Sequence, residues 1–197
     1  MLDIHALPAD IHGIIFDCDG TLVDTPPVYA RAWAAGFRSA GKEIKAEWYL
    51  KRAGMSEQVL MDQFEKEFGI PLQREKTVGI VRKTFLAELN GLKEISAITA
   101  IARQNKGKLP MAVASGGPAA IVIPTLEVTA LRSLFDTVVT IEDVKRPKPD
   151  PDLFLEAAKR LNVAPAQCLV FEDSREGLEA AKRAGMRVID VLKVTTV

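Results

Sequence analysis

An apolar run, Ile14-Ile15-Phe16, stops abruptly at Asp17-Cys18-Asp19-Gly20-Thr21-Leu22-Val23-Asp24. No other stretch restricts the fold as strongly. A strand with so few polar residues belongs at the centre of a sheet that is covered on both faces. In an open α/β sheet, the chemistry sits at the carboxyl ends of the strands. Continued extension would place Asp17 and Asp19 on the same side. Gly20 lets the backbone turn and brings amides close to an anion. Two carboxylates this close repel, so the pair requires a retained proton or a cation between them.

The first strand is expected at Gly13–Phe16, after a loose lead-in over residues 1–10. Thr25 is expected to cap a helix with Pro26 in its first position. Gly41 is its expected stop. Tyr29, Trp33 and Phe37 recur every four residues in it, and the stripe reads as helix–helix packing. Residues 46–90 keep a helical pattern. Leu60, Met61, Phe64 and Phe68 form one face, and Val78, Val81, Phe85 and Leu89 another. With no strand signature there, this region reads as an all-helical insertion. From Leu92 the alternation of βαβ units returns. Strands are expected at Met111–Ala114, residues 138–139, 168–171 and 188–191, each of the first three following or leading into a helix. Pro124 lies inside one helix and removes an amide from it. Asp150 is expected to cap the next, with Pro151 first and Asn162 at the exit. The domains are therefore 1–24 with 93–197, and 25–92.

Lys+Arg and Asp+Glu are both 26, so no basic excess points to nucleic acid or an anionic membrane surface. No apolar run approaches the roughly 20 residues of a membrane span. Cys18 and Cys168 lie in separate strand regions and read as buried free thiols, which suits a reducing cytoplasm. With only His5 and His12, a zinc site is not expected. A monomer is.

Polar groups fall at the carboxyl ends of three strands, with a lysine in a fourth connection. Phosphoryl transfer needs a nucleophile, a proton shuttle, an anion cradle, positive charge and a metal. Asp17 can attack phosphorus, and Asp19 can protonate the leaving oxygen and then deprotonate water. Thr21, Ser115 and the amides of Gly116 and Gly117 can hold phosphate oxygens near a helix N-terminus. Lys148 supplies charge to phosphate and to Asp17. Glu172 and Asp173 add carboxylates suited to Mg²⁺. Taken singly, each has a plain alternative: a turn at Ser115-Gly116-Gly117, a solvated Lys148, a helix cap at Glu172-Asp173. Their order along the chain favours the joint reading.

The pattern resembles the haloacid dehalogenase-like hydrolases over nearly the whole chain. Asp17-Cys18-Asp19-Gly20-Thr21 resembles their first motif, Ser115 the second, Lys148-Pro149-Asp150-Pro151-Asp152 the third and Phe171-Glu172-Asp173-Ser174 the fourth. Gly177-Leu178-Glu179-Ala180-Ala181 is similar to the β-phosphoglucomutase-like branch, and the whole to small sugar-phosphate phosphatases of the fructose-1-phosphatase type. The resemblance implies an α/β, Rossmann-like parallel-sheet core with an inserted all-helical cap. It also implies Mg²⁺ on Asp17, Asp173 and the Asp19 backbone carbonyl, with Glu172 nearby, and a small phosphorylated metabolite as substrate. In that branch, Gly54-Met55-Ser56-Glu57 stands at the cap's specificity loop, where mutases carry an arginine. Tyr29 stands where they carry a histidine.

Three readings remain open: a phosphatase, a sugar phosphomutase sharing the aspartyl-phosphate, and a non-catalytic phospho-receiver-like module. Asp19 argues against a dehalogenase, which needs no leaving-group proton. Cys18 stands where a P-type ATPase has lysine. Lys42, Lys45 and Lys51 lack the apolar surroundings that a Schiff-base lysine needs.

Overall fold

The computed structural model describes residues 7–194. Residues 1–6 of the expected lead-in, His5 among them, lie outside this range. The described chain forms two compact units, one comprising residues up to Asp24 and from Lys93 onward, the other Thr25–Leu92.

The first unit is built on five parallel strands, β1 (Gly13–Phe16), β2 (Met111–Ala114), β3 (Thr137–Val139), β4 (Cys168–Glu172) and β5 (Arg187–Asp190), in the order β3-β2-β1-β4-β5. Every residue of β1, β2 and β4 is buried, as their continuous apolar runs require. The last strand begins one residue earlier than expected, and Val191 falls instead in a short 3-10 turn. There Asp190 accepts from the Leu192 amide, ending the extension.

The second unit is all helical: α1 (Pro26–Arg38), α2 (Ala46–Leu50), α3 (Glu57–Phe68) and α4 (Arg74–Ala87). The aromatic stripe of α1 is packing, as expected. Phe37 stacks on Phe64 at 4.0 Å, Trp48 meets both edge-on, and Tyr29 lies 4.4 Å from Phe85. At Gly36, helices α1 and α4 approach so closely that a Cβ would stand 2.8 Å from Val81 Cγ2 and 3.2 Å from Thr77 Cγ2. This crossing buries Thr77 and leaves Val78 half-buried, which turns the expected face of α4 by one residue. Gly69 closes α3 in the left-handed region, with φ +66°.

Thr25 is not the cap it was expected to be. Its backbone is already helical (φ −88°, ψ −25°), so its hydroxyl cannot reach back to the first amides. That hydroxyl is buried without a hydrogen-bond partner among the described residues. Pro26 does occupy the first turn.

Four further helices belong to the sheet unit: α5 (Ser96–Asn105), α6 (Ala119–Val128), α7 (Asp152–Leu161) and α8 (Arg175–Arg183). Leu153, Phe154, Ala157 and Leu161 of α7, with Ala180 and Ala181 of α8, pack against Ile15, Ala112, Ala114 and Val170. On alternate strand positions, Phe16 stacks on Phe171 at 5.0 Å. Helix α7 starts later than expected, and Asp150 does not cap it. The Asp150 amide closes a turn onto the Pro147 carbonyl, so the chain has not yet entered the helix. Asn162 ends α7 in the left-handed region, as expected.

Candidate active site

Sheet register creates the site. Phe16 stands abreast of Val113 on one side and Phe171 on the other. The next residues along, Asp17, Ala114 and Glu172, therefore emerge together at the carboxyl edge, where an order that runs both ways from β1 opens a crevice. The Asp17 amide donates to the Phe171 carbonyl and holds the nucleophile candidate to the sheet edge.

Beyond Asp17 the chain leaves the strand in a tight turn. The amides of Leu22 and Val23 donate to the Cys18 carbonyl, and that of Gly20 donates to the Val23 carbonyl. Gly20 has φ +84°, and a Cβ on it would lie 2.4 Å from Asp173 Oδ2. Both the conformation and the approach of Asp173 thus require glycine. Cys18 is fully buried, and burial pushes its thiol well above the usual range, so it packs and does not react.

Lys148 reaches this edge from the loop before α7. Its ammonium donates to Asp17 Oδ1 at 2.6 Å, Glu172 Oε2 at 2.8 Å and the Ala114 carbonyl at 3.2 Å. All three of its donors are used, and the ammonium lies 4.9 Å from the centroid of the Phe154 ring. Burial alone would lower its pKa, but Asp17 and Glu172 outweigh that and raise it. Burial, then the charge of Glu172, push the Asp17 carboxyl well above its ordinary range, while Lys148 opposes them. Asp173 is pushed up to about 7, by burial first and Glu172 second. Thr21 donates to Asp173 Oδ1 at 3.0 Å. It is thus a carboxylate holder in this structure, which its expected phosphate role did not anticipate.

Asp19 is set apart from this group. The Ser115 hydroxyl donates to Asp19 Oδ2 at 3.3 Å and accepts from the Gly117 amide at 3.0 Å. One member of the expected anion cradle, the Gly117 amide, is therefore already directed at Ser115. Gly116 follows Ser115 at the same edge, and a Cβ there would meet nothing within 4 Å.

The carboxylates of Asp17, Glu172 and Asp173 offer oxygens that all lie within 4.8 Å of one another. Hard oxygen donors carrying more negative charge than one lysine can balance suit a hard cation. Glu172 has little left to offer it. Its Oε1 accepts from the Asp173 amide, the Ser174 amide and the Ser174 hydroxyl, and its Oε2 holds Lys148. Asp17 retains Oδ2, which makes no hydrogen bond among the described residues. The donor set fits a metal held by Asp17 and Asp173, with Glu172 behind them.

The loop expected to set specificity lies in the helical unit. Gly54 takes φ +91°, Ser56 caps α3 by accepting from the Val59 amide, and Glu57 pairs with Arg82 at 2.9 Å. Arg52 is committed within the same unit, to Gln63, Glu67 and the Trp48 carbonyl. Besides Thr21 on Asp173, sequence reasoning missed the Ala114 carbonyl, Arg82, and Ser174 in its hold on Glu172. Only Ser174 left a signal, a serine three residues before Gly177 at a helix start.

A model of the haloacid dehalogenase-like hydrolases matches residues 14–191. The fructose-1-phosphate phosphatase YqaB of Escherichia coli K12 is 35% identical over 184 residues, covering 91% of this chain and 95% of that protein. The phosphorylated carbohydrates phosphatase of Thermotoga maritima is 34% identical, covering 91% and 84%. Among solved structures, a conserved haloacid dehalogenase-like protein of unknown function, ATU0790 from Agrobacterium tumefaciens, is similar with a TM-score of 0.75 and 31% identity, over 90% of this chain and 81% of that one. With the family's match running from the first strand to beyond the last, the chain belongs to the haloacid dehalogenase-like hydrolases.

Proposed function

We propose that the chain is a Mg²⁺-dependent phosphatase that hydrolyses a small sugar monophosphate through an aspartyl-phosphate on Asp17. The observation that carries this reading is the different treatment of two aspartates two residues apart. Asp17 is fixed through one oxygen by Lys148 and keeps the other, while Asp19 is drawn toward Ser115.

In this reading one carboxylate oxygen of Asp17 attacks phosphorus and the other would face the ion. Lys148 holds Asp17 in line and offsets charge as the phosphoryl group approaches. Asp19 gives a proton to the leaving oxygen, then removes one from the water that cleaves the acyl phosphate. Ser115 orients Asp19 and, with Gly116, lines the phosphate position, while Thr21 holds Asp173. Asp17, Asp173 and the Asp19 carbonyl would hold Mg²⁺. Bound there, the ion supplies positive charge to phosphate oxygens and to the crowded carboxylates.

The helical unit is assigned the cap role, with residues 54–57 as its specificity loop. The names of the two phosphatase relatives support a phosphorylated carbohydrate as substrate. Glu57 and Arg52 bear on the mutase alternative. A mutase must hold a second phosphate, whereas here the loop carries an acid paired with Arg82, and Arg52 is engaged elsewhere. The hydrolase family leaves the signalling-module reading without support. A reducing cytoplasm, supported by two buried free thiols, and a monomeric state complete the proposal. Among the described residues, no helix is long and apolar enough to cross a membrane.

The test is phosphate release from a panel of sugar monophosphates with Mg²⁺ and with chelator, using the parent and Asp17→Asn. Release by the parent that Asp17→Asn abolishes is expected; parental rates in that variant would refute the reading. β-Glucose 1-phosphate with a trace of 1,6-bisphosphate serves as a second arm. Glucose 6-phosphate accumulating faster than free phosphate would replace phosphatase with mutase.

A further inference from the structure

Glu172 is 1% exposed and makes contacts on every side that determines its orientation. One oxygen holds Lys148, which in turn holds Asp17. The other takes two backbone amides and the Ser174 hydroxyl, the last at 2.8 Å. Ser174 also accepts from the Gly177 amide at 3.0 Å, as the cap of α8. Its single proton therefore goes to Glu172, while its oxygen serves the helix. On the helix side there is no room for Glu172 to move. A Cβ at Gly177 would come within 1.9 Å of Glu172 Oε2 and 2.1 Å of Cδ.

From this chain of contacts we propose that Ser174 is a positioning residue for the Asp17 centre, acting through Glu172 and Lys148. The order is Gly177 amide to Ser174 Oγ, Ser174 hydroxyl to Glu172 Oε1, and Glu172 Oε2 to the ammonium that aligns Asp17. A helix cap alone needs only an acceptor at Ser174. The donated proton is the part that capping does not explain, and it separates the two roles.

The inference rests on the phosphatase reading above, and the variants are chosen to keep the two apart. Ser174→Thr keeps both donor and acceptor. Ser174→Asp keeps a good cap but gives Glu172 no proton and faces it with a second carboxylate. Ser174→Ala loses both. All are assayed with the monophosphate that the parent hydrolyses fastest, under saturating Mg²⁺, alongside thermal unfolding.

Displacing a reacting group by about 1 Å can cost on the order of 100-fold in rate. Ser174→Asp is therefore expected to keep KM while kcat falls roughly 10- to 100-fold, with thermal stability lowered by the new carboxylate beside buried Glu172. Ser174→Thr should restore parental kcat, and Ser174→Ala should lose both kcat and melting temperature. Parental kcat in Ser174→Asp would overturn the proposal and leave Ser174 as a cap only. So would a kcat loss in Ser174→Thr equal to that in Ser174→Ala. A parent whose phosphate release does not depend on Asp17 would instead defeat the reading of function.

Discussion

Replacing Lys148 by methionine removes the lysine's charge from a buried acidic cluster while keeping an unbranched apolar side chain of similar length. Its side chain is 8% exposed, as is that of Asp17, and that of Glu172 is 1% exposed. Solvent cannot stand in for the lost ammonium. Breaking a buried ion pair from one side costs about 3–5 kcal/mol, because the abandoned charge stays desolvated. Here two carboxylates are abandoned, and the Ala114 carbonyl loses a donor as well. Protonation is the available relief. Burial and Glu172 already raise the Asp17 pKa, and Lys148 is the group that opposes them. Without it, Asp17 should hold its proton to still higher pH in the folded state than in the unfolded one. A raised acid pKa means that the folded state binds more protons, so stability is lost as pH rises. Urea unfolding in chelator should therefore show Lys148→Met destabilised by about 3–5 kcal/mol near pH 8 and by clearly less near pH 5.5. A loss under about 1 kcal/mol near pH 8, or a larger loss at the acid end, would refute the reasoning.

Other consequences are simpler. The Asp173 carboxyl sits at about 7, raised by burial and Glu172, so a proton competes with any metal there below that pH. At a fixed Mg²⁺ concentration, the rise in melting temperature should be larger near pH 8 than near pH 6; the reverse order would contradict the metal assignment. Gly79 lies within α4 with nothing inside 4 Å of its would-be Cβ, so Gly79→Ala should stabilise by about 0.5–1 kcal/mol. Gly36→Ala should instead destabilise by about 1–3 kcal/mol, since Val81 and Thr77 stand in the way. Equal effects in denaturant titrations would show that the α1–α4 approach is looser than described.

Much of the site was legible because it is written in strand ends. Apolar runs stopping at Asp17, Ser115 and Glu172 read directly as parallel strands, and strand order then brings those residues to one edge. Lys148 was also legible, although 131 positions separate it from Asp17, since lone positive charge is what such an edge lacks. Tertiary geometry hid the rest. Thr25 has a cap's chemistry but lies in helical backbone, and Asp150 is still inside a turn. Thr77 is buried in place of Val78 because Gly36 lets a neighbouring helix in, which no pattern along α4 reveals. Thr21 and Ser174 have hydroxyls whose partners are carboxylates that only the folded turns bring near. Glu57 stands in the expected specificity loop, yet Arg82, 25 residues on, pairs with it.

In the proposed mechanism Asp17 becomes phosphorylated during turnover. Acid quenching within one turnover, followed by borohydride reduction and peptide mass spectrometry, tests this directly, because reduction converts an aspartyl-phosphate to homoserine. Homoserine is expected at position 17, appearing with substrate and Mg²⁺ and absent without substrate. Steady phosphate release with Asp17 unmodified, or with the label on another carboxylate such as Asp19, would contradict it.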